Sequence, residues 1–130
     1  MDFYLEPQAG LVGECGLRAG VVVPTAKPWL KLDAGGSLWS SGTAALDLVP
    51  LLRFEARGWR LEAGLGGAVM LNQDPARNGS DVLFTEVVRV GWEGPTWLVG
   101  LRFHHYSNAG LAKPNRSHDY VGMAVAYRWK

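Results

Sequence analysis

Trp59-Arg60-Leu61-Glu62-Ala63-Gly64-Leu65-Gly66-Gly67-Ala68-Val69-Met70-Leu71 is the stretch that decides the fold. Trp59, Leu61, Leu65, Val69 and Leu71 fall on one side of a period of two, and Arg60, Glu62, Gly64 and Gly66 fall on the other. Successive side chains of a strand point to opposite faces, so the segment reads as a β-ribbon with one apolar and one polar face. The same alternation recurs outward in both directions, over 3–13, 15–23, 29–39, 46–56, 82–92, 96–107 and 118–129, between clusters of Gly, Pro, Asn and Asp. Pro50, inside one of these runs, needs an edge, a bulge or a tolerant position.

Eight strands joined by short turns predict an all-β protein, an eight-stranded antiparallel up-and-down β-barrel formed by a single domain over residues 1–130. Closure removes the unpaired edges that would otherwise invite aggregation. Alternation alone does not say which face points inward, and two features favour an apolar exterior, hence a transmembrane barrel. The polar face holds Glu6, Arg18, Lys31, Asp33, Asp47, Arg53, Glu55, Arg60, Glu62, Arg89, Arg102 and Arg128 in near balance, interleaved with Gly and Ala, which suits a narrow lumen filled with ion pairs. Trp29, Trp59 and Trp97 begin odd strands while Trp92 and Trp129 end even ones, so the five gather at one rim like an interfacial aromatic girdle. The longer connections, 72–81 and 108–117, lie at the opposite rim.

Composition excludes other classes. Thirteen Lys plus Arg against twelve Asp plus Glu, with no basic run, leave no nucleic-acid footprint. The longest uncharged stretch, 34–46, is rich in Gly, Ser and Thr and is no transmembrane helix. Cys15 is the single cysteine, and His104, His105 and His118 are the only histidines, so neither a disulfide framework nor a metal centre is expected. The start, Met1-Asp2-Phe3, lacks a signal-peptide pattern, which leaves a cytosolic protein or a signal removed beforehand.

Chemistry concentrates near the C-terminus. His105 and Ser107 stand two apart on the apolar face, and Asp119 falls on the corresponding face of the next strand by parity with Val121 and Met123. A serine hydroxyl is inert until a base within about 3 Å takes its proton and an acid orients that base. Ser107 is therefore the candidate nucleophile, His105 the base and Asp119 the orienting acid. Glu86, on the apolar side of the sixth strand, is a reserve acid, and Ser117 and His118 are weaker substitutes. The plain alternative is that these polar side chains mark where a strand leaves hydrocarbon for the headgroup zone.

The segment His105-Tyr106-Ser107-Asn108-Ala109-Gly110-Leu111-Ala112-Lys113-Pro114-Asn115 closely resembles the signature of the lipid A 3-O-deacylases, the PagL-type outer-membrane esterases. The likeness continues through Glu62-Ala63-Gly64-Leu65-Gly66 and the eight-strand layout, and is strongest from Gly100 to Tyr127. It implies a Ser-His-acid triad at Ser107 and His105 on the lipid-facing exterior, and cleavage without a cofactor of the 3-hydroxyacyl ester at position 3 of lipid A. It also implies that the chain is a mature or truncated form of an outer-membrane protein. Where the family prototype has Glu as the acid, this chain has Asp119, one methylene shorter, and Arg116-Ser117-His118 before it also differ. Backbone N–H groups of the Asn108-Ala109-Gly110 turn, with the Asn115 side chain, are the expected oxyanion donors.

The reading is thus a serine esterase acting on lipopolysaccharide in the outer membrane, with no cofactor, no metal and no nucleic-acid partner, and with a homodimer through the apolar exterior left open. Its rivals are a non-catalytic outer-membrane barrel and a soluble barrel that binds hydrophobic ligands.

Overall fold

The computed structural model describes residues 1–11 and 13–129. Eight strands follow in chain order: β1 (Asp2–Gly10), β2 (Cys15–Pro24), β3 (Leu30–Trp39), β4 (Ala44–Ala56), β5 (Trp59–Leu71), β6 (Val82–Glu93), β7 (Trp97–Ser107) and β8 (His118–Arg128). Each pairs antiparallel with the next, and β8 pairs with β1 to close the barrel. The first strand stops short of its predicted end because Gly10 N–H donates to Glu14 O at 2.6 Å and Gly13 takes a positive φ, which turns the chain. Val12, inside that predicted run, lies outside the described residues.

Pro7 in β1 and Pro50 in β4 interrupt the ladder locally, because proline has no N–H to give. The β4–β5 register passes from Leu48↔Gly67 to Leu51↔Gly64, and the β1–β8 register from Leu5↔Val125 to Gln8↔Gly122, skipping the residues around Pro50 and Pro7. In a closed barrel Pro50 thus occupies the tolerant position that its place in a strand required. At the 57–58 hairpin, Arg57 and Gly58 both take positive φ, at 51° and 84°, the backbone of a tight turn between twisted strands.

Leu101 is 57% exposed and its neighbour Arg102 only 1%, and the same contrast runs round the wall. Most large apolar residues face outward and most charges inward, the arrangement of a barrel standing in a bilayer. The soluble, ligand-filled alternative is overturned by this, since it needs the apolar face inside. Arg18 forks onto both oxygens of Asp47, Arg102 reaches Asp33, Arg53 and Arg89 converge on Glu62, and Arg60 bonds Asp2 at 2.9 Å. Tyr4 stands among these charges, donating to Asp33 at 2.7 Å, with the guanidinium carbons of Arg18, Arg89 and Arg102 5.1–5.6 Å from its ring centre. Small residues make the room: a Cβ on Gly20 or Gly35 would collide with Tyr4 or Arg18, and one on Gly122 with Glu6.

Trp29, Trp59, Trp92, Trp97 and Trp129 are all more than half exposed, and they form the girdle at the rim of the chain ends, where Trp129 N–H donates to Met1 O at 3.0 Å. Trp39, the sixth, is different. It is buried inside the barrel at the loop rim, stacked on Tyr120 at 4.5 Å and edge-on to Tyr106 at 5.9 Å.

Candidate active site

The site forms where β6, β7 and β8 approach the loop rim on the outside of the barrel. Alternation turns His104 and Tyr106 inward and His105 and Ser107 outward, so one strand serves both sides. His104 is fully buried, bonded to Thr85 Oγ1 and stacked on Tyr106 at 4.3 Å, and His118 is buried beside Tyr120. Neither can share a ligand with His105, and among the described residues no group of three metal-ligating side chains gathers.

Cross-strand register brings the outward groups together. His105 on β7 lies directly opposite Asp119 on β8, and its Nδ1–H donates to Asp119 Oδ1 at 2.6 Å. Both side chains are a quarter exposed, so the pair is reachable from the membrane yet held by its neighbours. The carboxylate fixes the ring's orientation and tautomer, leaving Nε2 as the nitrogen that can accept a proton. Ser107 follows two residues along the same outer face, level with Phe84 of β6. No hydrogen bond joins Ser107 to His105 among the described residues; such contacts commonly tighten only when substrate seats.

The second oxygen of Asp119 accepts from Ser117 Oγ at 2.8 Å. Arg77 in turn donates to Ser117 O at 3.3 Å and pairs with Glu14 at 3.6 Å, so the long loops 72–81 and 108–117 brace the acid. Ser117, expected from the sequence only as a substitute catalyst, is thus a partner of the acid. Its two-residue spacing from Asp119 was the available signal for a supporting partner. Glu86 lies opposite His105 from the β6 side, exposed and without a hydrogen bond or ion pair among the described residues.

The expected oxyanion donors are partly engaged elsewhere. Asn108 N–H donates to Asn115 Oδ1 at 3.0 Å and Gly110 N–H to Asn108 Oδ1 at 2.9 Å, while Asn108 Nδ2 donates to Ala112 O and Pro114 O. Asn108 and Gly110 therefore hold the loop in shape. Asn115 keeps its Nδ2 protons, because its contact with Asn108 is made through Oδ1.

The family model for lipid A 3-O-deacylase (PagL) matches residues 14–128. Among curated relatives, the lipid A deacylase PagL of Bordetella bronchiseptica is 30% identical over 116 residues, 78% of this chain and 65% of that protein, so the chain spans just under two thirds of that relative's length. A crystal structure of the outer membrane enzyme PagL superposes with a TM-score of 0.87 at 24% identity, covering 99% of this chain and 100% of that one. A de novo designed transmembrane β-barrel superposes with a TM-score of 0.74 at 12% identity, covering 97% and 92%. At those identities the superpositions speak for the barrel.

Proposed function

The chain belongs to the lipid A 3-O-deacylase (PagL) family, and from that premise we propose that it is a serine esterase of the outer membrane that hydrolyses the 3-hydroxyacyl ester at position 3 of lipid A in lipopolysaccharide. The observation that carries the reading is the 2.6 Å bond from His105 Nδ1 to Asp119 on the lipid-facing wall, with Ser107 two residues along the same face. An uncompensated histidine and carboxylate at an apolar surface are expensive, and their pairing in the orientation that a triad requires is what a merely polar strand end does not need.

In this mechanism Ser107 Oγ attacks the acyl carbonyl while His105 Nε2 takes the hydroxyl proton. Asp119 stabilises the imidazolium, and Ser117 holds the carboxylate in place. Asn115 Nδ2 is the side-chain donor for the oxyanion. Collapse of the tetrahedral intermediate breaks the ester bond, and His105 returns the proton to the departing sugar oxygen. Water then attacks the acyl-serine with His105 again as base, releasing a 3-hydroxy fatty acid and free Ser107. The exterior position lets lipid A approach sideways within the leaflet.

Mass spectrometry of lipid A after incubation with refolded wild-type protein should show the loss of one 3-hydroxyacyl mass. Ser107→Ala, folded equally well, should leave the lipid unchanged. Turnover by Ser107→Ala above roughly a few per cent of wild type would remove Ser107 from the nucleophile role, since a triad without its nucleophile falls by several orders of magnitude.

A further inference from the structure

We infer that Lys113 and Arg116 form a receptor for the substrate's own phosphate, set beside the triad to place the scissile ester over Ser107. The inference rests on the esterase reading and adds how that site recognises its headgroup. Loop 108–117 carries these two cations and no acidic residue. Among the described residues neither cation has an ion-pair partner, in a protein whose lumen arginines are nearly all paired.

Of the acids near this rim, Glu86 stands unpaired among the described residues on the β6 side of His105, away from loop 108–117, and the others are engaged. Glu14 pairs with Arg77 and accepts from Tyr120 at 3.0 Å, Asp74 accepts from Ala76 N–H at 2.9 Å, Asp81 accepts from Gln73 at 2.9 Å, and Asp119 serves His105 and Ser117. Two exposed cations thus remain without an ion-pair partner among the described residues, on the loop that follows Ser107.

Their backbone is fixed in advance. Asn108, adjacent to the nucleophile, donates through Nδ2 to Pro114 O at 3.2 Å and through N–H to Asn115 Oδ1 at 3.0 Å. Gly79 N–H donates to Pro114 O at 2.8 Å, Arg116 N–H donates to Arg77 O at 2.9 Å, and Asn78 bridges Asn115. Pro114 and Asn115 are therefore folded back against the residue after Ser107, and Lys113 and Arg116 flank them. Cations carried on a backbone that is already ordered gain more from an anion than cations on a mobile loop, because less loop freedom is lost on binding. Lipid A offers the matching group: the sugar esterified at position 3 carries a phosphate monoester at position 1 of the same ring. Charge-assisted bonds from Lys and Arg to that phosphate, made at a partly desolvated membrane surface, would orient the ester.

The test compares lipid A bearing both phosphates with the same lipid lacking the position-1 phosphate, in zwitterionic micelles with and without added phosphatidylglycerol. For wild type, removing the phosphate should raise KM about tenfold with kcat within roughly twofold, the signature of lost ground-state binding. The double variant Lys113→Ala/Arg116→Ala should show that raised KM on the intact lipid and treat both lipids alike, and Lys113→Arg/Arg116→Lys should recover most of the preference. Equal KM values for wild type on the two lipids, or a preference that survives in the double variant, would overturn the assignment. So would an effect of the double variant that appears only with phosphatidylglycerol, which would make the cations a general anchor to anionic lipid. If folded wild type turns over neither lipid, the esterase reading itself fails. Binding of the two lipids to Ser107→Ala protein then still decides the phosphate receptor, by whether its Kd depends on the position-1 phosphate.

Discussion

Carboxylates inside and outside the barrel wall are held in opposite ways. In the lumen, Asp47 faces Arg18, Asp33 faces Arg102, and Glu62 faces Arg53 and Arg89. Outside, Asp119 is held by His105 and Ser117, neither of them a permanent cation. An arginine keeps its charge throughout, so a carboxylate locked to it can only support structure. A carboxylate locked to an imidazole can steady a proton that comes and goes. In the proposed mechanism the same chemical group is scaffold on one side of a strand and machinery on the other, and the partner makes the difference.

Asp119→Asn should break the outer arrangement most severely. It keeps the shape but removes the charge and favours the wrong tautomer of His105, so kcat should fall on the order of 10³- to 10⁴-fold while the barrel stays folded, as measured by lipid A turnover and heat-modifiable migration. Asp119→Glu, which restores the acid found in the family prototype, should keep most of the activity. The inner arrangement should break differently. Glu62→Ala leaves Arg53 and Arg89 facing one another in a closed interior, and denaturant titration in lipid vesicles should show a loss of about 3–5 kcal/mol.

Smaller changes sharpen the contrast. Ser117→Ala removes one bond to the Asp119 carboxylate without touching substrate, worth about 1 kcal/mol, and should lower kcat roughly fivefold with KM unchanged. Glu86→Gln should change turnover by only about twofold, because that carboxylate supports nothing in the resting site. A loss for Glu86→Gln comparable to that for Asp119→Asn would transfer the acid role from β8 to β6.

Much of this was legible from residue order. The alternation in 59–71 gave both faces of β5 in advance, and the five rim tryptophans followed from their places at strand ends. His105 and Ser107 share a face simply because they are two apart in a strand. The buried Trp39–Tyr106–Tyr120 cluster was not legible, since an aromatic residue reads alike whether it meets lipid or fills a lumen. Nor was the engagement of the Asn108 and Gly110 N–H groups, because Asn and Gly suit a turn and an oxyanion hole equally well.

The sequence by itself determined the strands and their faces, because side-chain period and turn chemistry are properties of neighbouring residues, and the family resemblance lay in the segment 105–115. Only the tertiary structure decided that His105 meets Asp119. That contact depends on the register between β7 and β8, and a slip of one residue would turn the carboxylate from the outer face into the lumen.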